Sequence, residues 1–311
     1  MIRITRQGGL ATEQKEVAHH YSIGGHRVVF DTRVNTLQKF SEGHATLRYS
    51  ELLGGLPDPV ELSSDNAKLQ YQGLAPFDQA QREIRCWIQN NNFQLDLEGK
   101  PVCRVDLDKK HIRLLSPKPF DDRLNLEIVT GPALMIALAA RGVYGLHAGA
   151  ILAERGAVGF IAESGVGKST LSSSAEPDWR QLCDDIMPLE QTVDQEGYTY
   201  FLHDFPQLKL PNSVAPTRPR GETQLGALIR LNAVESREIK FSRLKKAEAL
   251  LQIVRHTVAA KLFDRSMMKH HVRFAKRLST SVPMFEVSYP RDLDRLGELR
   301  SAILETVNNC D

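Results

Sequence analysis

The chain has 311 residues, of which 41% are hydrophobic and 25% charged, with a formal net charge of +2 at neutral pH. That length allows two domains, or one large domain with an elaboration, and the apolar fraction can supply a sizeable core, which argues against a disordered chain. The small net charge argues against a dedicated nucleic-acid binder, which needs a large basic excess or a strongly basic face.

The four cysteines, Cys86, Cys103, Cys183 and Cys310, form no CxxC pair and lie at no zinc-ligand spacing with histidines, so they read as reduced thiols. The run MIRITRQGGLATEQ has no apolar h-region, so no secretory signal is expected. No apolar stretch approaches the ~18 residues of a membrane span; the longest, Ala133–Ala140, is far shorter. The expectation is a cytoplasmic protein without a membrane partner.

Residues 1–116 read as an N-terminal β-rich accessory domain. Tyr21–Asp31 contains a turn at Gly24-Gly25. Phe93–Leu97, Val102–Leu107 and His111–Leu115 are separated by short polar turns. The pattern is a β-meander, polar on one side and therefore expected to be antiparallel with one wet face. Gly54–Asp65, rich in Pro, Gly and Ser, reads as loop. Ser116-Pro117-Lys118-Pro119 reads as a linker into a second domain, 117–311.

In that second domain a helix is expected to start at Gly131-Pro132, run through Ala133–Ala140 and end at Gly142. Leu146–Leu152 and Ala157–Ile161 read as strands, and Thr170–Ser174 as the start of a helix. A short strand ends at Leu182-Cys183, and Ile186–Glu190, Tyr198–Leu202 and Ala227–Leu231 read as further strands. In Lys245–Val258 the residues Ala247, Leu250, Leu251 and Val254 fall on one helical face. Met284–Val287 reads as a strand after Pro283. Asp292–Val307 repeats Leu293, Leu296, Leu299 and Ile303 at helical spacing, a core-packing pattern. The basic stretch Arg265–Arg277 reads as a solvated helix face. Adjacent histidines (His19-His20, His270-His271) diverge on a helix or strand and do not suit a shared metal.

The strongest chemical signal is Ala162-Glu163-Ser164-Gly165-Val166-Gly167-Lys168-Ser169-Thr170. It matches the phosphate-binding P-loop pattern GxxxxGK[ST] with Ala162 at the first Gly. Gly165 and Gly167 let the backbone curl so that successive N–H groups, from Ser164 through Thr170, form an anion nest at a helix N-terminus. Lys168 can reach the β- and γ-phosphates of ATP, and the Ser169 hydroxyl can bind Mg2+. Downstream, Asp184-Asp185 follows a short strand, where one carboxylate, Asp184, can hold the metal and the other, Asp185, can take a proton from an attacking hydroxyl. Upstream, His147 lies in Leu146-His147-Ala148-Gly149-Ala150, on a strand neighbouring the loop and flanked by small residues that suggest close backbone packing.

His147, the loop and the Asp-Asp pair, in this order, resemble the catalytic domain of HPr serine kinase/phosphorylase. Phe205-Pro206-Gln207-Leu208-Lys209-Leu210-Pro211, and the ending Val282–Val287 with Tyr289-Pro290-Arg291-Asp292, are similar as well. The resemblance covers roughly 120–311. It implies an α/β fold with a P-loop kinase core of HPr-kinase type, a mixed sheet and C-terminal helices. It also implies ATP and Mg2+ as cofactors, catalytic roles for Lys168, Asp184, Asp185 and His147, and a further carboxylate for which Asp204 is a candidate. The family's Gly-rich signature for dephosphorylation has no counterpart, and the 1–116 meander does not resemble the family's accessory domain. The implied activity is transfer of the γ-phosphoryl group to a hydroxyl, a serine of a protein or a ribosomally made peptide. A nucleotide-operated sensor acting on a partner, and a kinase of a small-molecule hydroxyl, stand as alternatives. Relatives assemble into oligomers, so a homo-oligomer is compatible with the resemblance.

Overall fold

The structure, a computed structural model, describes residues 1–6, 15–48, 62, 66–163, 165–173, 179–195, 197–207 and 223–309. The loop expected at Gly54–Asp65 (Leu62 apart), Ser164, Ser174, Leu208–Pro211 and Cys310 lie outside the described residues. The fold is mixed α/β with two mixed sheets. Contacts divide the chain into two compact units, 1–141 with 259–268, and 142–258 with 269–311. The linker-like Ser116–Pro119 lies within the first. Among the described residues no helix is long and apolar enough to cross a membrane.

The first unit holds a nine-stranded sheet. Its strands are β1 (Ile2–Arg6), β2 (Lys15–Ile23), β3 (His26–Phe30), β4 (Ser41–Arg48), β5 (Lys68–Phe77), β6 (Ala80–Gln89), β7 (Asn92–Leu97), β8 (Lys100–Asp106) and β9 (His111–Leu114). Strands β7, β8 and β9 form the expected antiparallel meander, which β5 and β6 extend. Alternate residues such as Ile84, Cys86, Phe93 and Leu95 are buried, as a period of two requires. The β2–β3 hairpin turns at Gly24-Gly25. One strand departs from the antiparallel expectation: β1 lies between β3 and β9 and is parallel to both. Such pairing joins distant segments, and no local pattern announces it.

A short helix precedes the one expected from Gly131-Pro132. Asp122 caps α1 (Arg123–Ile128) by accepting from the Asn125 N–H. A π-turn over Val129–Ala133 then absorbs Gly131 and Pro132 before α2 (Leu134–Ala139). At Gly131 the backbone leaves helical values, with φ −85° and ψ −107°, so the chain kinks there, and Pro132, which has no N–H to donate, opens the next helical stretch as expected. Gly142, with φ +84°, follows the helical segment as expected.

The second unit carries β10 (Val143–Ala153), β11 (Gly156–Ile161), β12 (Arg180–Cys183), β13 (Ile186–Asp194), β14 (Gly197–Leu202), β15 (Thr223–Val234), β16 (Lys240–Arg243) and β17 (Met284–Pro290). Strands β11, β15 and β17 run parallel, and the remaining pairings are antiparallel. Its helices are α3 (Lys168–Ser172), α4 (Lys246–His256), most of α5 (Arg265–Ser281) and α6 (Leu296–Asn308). The core gathers Val158, Phe160, Trp179, Ile229, Val287 and Ile303. Trp179 stacks on Phe160 at 5.8 Å, its indole donates to the Leu171 carbonyl at 2.6 Å, and the Arg300 guanidinium lies 5.5 Å from its ring. Trp179 thereby ties α3 and α6 to the sheet.

Two helix faces differ from expectation. In α4 the buried residues are Ala249, Ile253 and His256, while Leu251 is exposed. The helix turns Ala249 and Ile253 inward, leaves Leu250 and Val254 partly buried, and presents Ala247 and Leu251 to solvent. On the last helix Leu299, Ile303 and Val307 are buried, but Leu293 is 74% exposed because Leu293–Arg295 forms a separate 3-10 turn that breaks the stripe. On α5 the charged residues from Arg265 to Arg277 are exposed as expected, whereas His271 is fully buried. Cys86, Cys103 and Cys183 are buried. Burial, aided at Cys86 by the Asp96 charge, pushes Cys86 and Cys103 up to about 12.

Burial also lowers His111, His256 and His271 to about 4. An unfolded chain protonates these imidazoles below the ordinary value of 6.5, the folded chain only near 4. The unfolded state therefore binds more protons in that window, and stability falls as pH drops through it, by on the order of 3 kcal/mol per histidine once complete. Urea midpoints are expected to decline between pH 6.5 and 4, less steeply in His271→Gln. A midpoint constant across that range contradicts the assignment.

Candidate functional site

Strand β11 runs out at Ile161, and α3 follows Gly165–Gly167, which carry the turn. Gly165 and Gly167 have φ of +80° and +108°, values that side chains with a Cβ rarely adopt. The bend is held from two sides. Lys168, 7% exposed, donates its Nζ to the Ala162 carbonyl at 2.7 Å. The Tyr289 hydroxyl, from the end of β17, donates to the Val166 carbonyl at 2.6 Å. Ser169 and Thr170 are exposed at the start of α3. Tyr289→Phe is expected to cost about 1 kcal/mol, the worth of one such hydrogen bond, and to speed amide exchange at Val166–Lys168. An unchanged unfolding midpoint and exchange rate would show that Tyr289 does not brace the bend.

The acidic pair is positioned by β10. Ala150 pairs with Cys183 of β12 and His147 with Ile186 of β13. Asp184 and Asp185 thus lie opposite Gly149 and Ala148, and the Ala148 N–H donates to the Asp185 carbonyl at 3.1 Å. The small residues around His147 now have a reason. A Cβ on Gly149 would stand 3.0 Å from the Ser172 side chain. Without it Ser172, at the end of α3, fits against β10 and donates to Asp184 Oδ1 at 3.1 Å. Gln181 donates to the same Ser172 hydroxyl at 3.2 Å. Asp184 is 5% exposed, and this bond to Ser172 offsets part of the cost of burying its carboxylate.

Asp185 is half-buried, with Oδ1 at 3.2 Å from His147 Nδ1. The three sequence elements therefore meet: the bend joins α3, α3 bonds Asp184, and the adjacent Asp185 faces His147. Asp204, the further carboxylate candidate, is half-buried just after β14.

Two contributors were not evident from the sequence. The Gln207 side-chain oxygen accepts from the backbone N–H groups of Asp184, Asp185 and Ile186 at 3.0, 2.8 and 3.3 Å. Its amide nitrogen donates to the carbonyls of Ile186 and Phe205 at 2.9 and 3.2 Å. Gln207 thus clamps the Asp-Asp turn from a segment singled out only for its likeness to the kinase family. The second is His256. An isolated bridge between Leu146 and Thr257, and the bond from Val258 N–H to the Gly145 carbonyl at 2.8 Å, set the end of α4 beside β10. His256 is lowered to about 4, chiefly by burial; Lys168, His147 and Arg255 push the same way and Glu163 opposes them. It is a neutral imidazole at neutral pH, close to the cations of the site. Its signal in the sequence was a polar residue at the buried spacing of Ala249 and Ile253.

No family model matches the chain, and no curated protein is similar to it.

Proposed function

We propose that the chain is a kinase with a P-loop core of HPr-kinase type, which uses ATP and Mg2+ in the cytoplasm to phosphorylate a hydroxyl, a serine of a protein or ribosomally made peptide. The observation that carries this reading is the 3.1 Å bond between Ser172 and Asp184, which makes the glycine bend and the acidic pair parts of one unit. A phosphate chain gripped by the bend would lie near a carboxylate fit to take a proton.

The donor set suits magnesium. Ser169 offers an exposed hydroxyl and Asp184 a carboxylate, both hard oxygen donors. Mg2+ takes one or two protein oxygens and completes its shell with water and phosphate. When bound, it supplies charge neutralisation at the β- and γ-phosphates. The N–H groups of the bend and the Lys168 ammonium would add fixed positive charge beside the phosphate oxygens that carry the charge of the transition state. Asp185 accepts the proton of the attacking hydroxyl, and His147 at 3.2 Å orients its carboxylate.

The reading is tested by incubating the protein with Mg2+ and γ-labelled ATP, together with the products of neighbouring genes. Label on a serine of one of them is expected. Tight ATP binding without transfer to any acceptor would favour the nucleotide-operated sensor instead.

A further inference from the structure

Beside the glycine bend lies a cavity of 210 Å³. One wall is the bend and the start of α3, with Val166, Gly167 and Thr170; the facing wall runs from Tyr289 through the 3-10 turn to Leu293 and Leu296. Pockets that enclose a whole drug-sized ligand begin at about 300 Å³, so this one has room for a single heterocycle and not for a complete nucleotide.

Most polar side chains at its edge already have partners. The Tyr289 hydroxyl donates to the Val166 carbonyl. Asp292 accepts from the Asp294 N–H at 3.0 Å. Arg295 pairs with Glu298 at 2.7 Å and also donates to the Arg237 carbonyl. What these groups leave for a ligand is mainly apolar: Val166, the ring of Tyr289, Leu296, and Leu293 with 74% of its surface exposed, beside the exposed Thr170 hydroxyl. Arg291 lies on the exposed rim, where a guanidinium can stack flat on a ring.

We infer that this cavity receives the nucleobase of the triphosphate held by the bend, and binds it by apolar contact and stacking, not by reading its hydrogen-bonding edge. The inference rests on the phosphate-binding reading of the bend. It follows that ATP and GTP bind with similar affinity, since both purines present the same faces.

Calorimetric titration with the magnesium salts of ATP, GTP and tripolyphosphate tests it, on the natural chain and on Leu293→Asn. The exposed position of Leu293 makes the variant safe for folding. ATP and GTP are expected to bind within about threefold of each other, and both at least ~10-fold tighter than tripolyphosphate. Leu293→Asn is expected to weaken both nucleotides by about fivefold to tenfold and to leave tripolyphosphate unchanged. Tripolyphosphate binding as tightly as ATP, or a variant that weakens all three ligands equally or none, places the base elsewhere and leaves the phosphate reading intact. A large preference for one purine overturns the stacking mode. Failure of all three to bind overturns the phosphate reading, and this inference with it.

Discussion

Replacing Asp185 by Asn is expected to lower phosphoryl transfer by ~10²-fold or more while leaving Mg-ATP affinity nearly unchanged. The amide keeps the size and the half-buried position of the carboxylate, so the local backbone should hold. It cannot take a proton at neutral pH, so in the proposed reaction the acceptor hydroxyl loses its base. ATP affinity should survive, since the groups assigned to the phosphates are the N–H groups of the bend, Lys168 and Ser169. Transfer assays and ATP titrations on the same preparation separate the two effects. Unchanged transfer would remove Asp185 from the mechanism, and loss of ATP binding would assign it to the nucleotide.

Gln207→Ala is expected to destabilise the second unit by ~2–4 kcal/mol and to impair transfer more than ATP binding. One side-chain oxygen serves three consecutive N–H groups at 2.8–3.3 Å. An alanine leaves all three without that acceptor, and a buried donor that finds no replacement costs about 1–3 kcal/mol. Water can satisfy part of the turn from the half-buried side of Asp185, which keeps the total below the sum. The lost geometry matters as much, since the clamp sets where both carboxylates point. Urea unfolding and transfer rates measure the two consequences. A loss of stability under about 0.5 kcal/mol, the range of substitutions at indifferent surface positions, would mean that the clamp is dispensable.

Much of this arrangement could be read from the residues, because its parts are local. Hairpins such as β2–β3 and β10–β11, and the meander through β7, β8 and β9, are short-range structures marked by alternation and turn residues. The glycine bend is likewise encoded by consecutive residues, and Gly165 and Gly167 adopt the positive φ that their lack of a side chain allows. What escaped depends on distant partners. The parallel placement of β1 brings Ile2–Arg6 beside His111–Leu114. The clamp joins Gln207 to residues more than twenty positions away, and nothing about an isolated glutamine marks it as a turn acceptor. His256 is one polar residue in an amphipathic helix until the bridge between Leu146 and Thr257 sets it beside His147. Leu293 continues a core stripe in the sequence, and the 3-10 turn rotates it to the surface. Ser172 and Gly149 are a matched pair, one side chain filling the space the other lacks, and neither is informative alone.

The central claim is that the bend grips the phosphates of a nucleoside triphosphate through its backbone N–H groups, and amide hydrogen exchange with and without Mg-ATP tests it most directly. Slower exchange at Gly165–Ser169 and at the Asp184–Asp185 turn, with little change across the sheet of the first unit, is the result this account predicts. Exchange at Gly165–Ser169 unaltered by saturating Mg-ATP would contradict it.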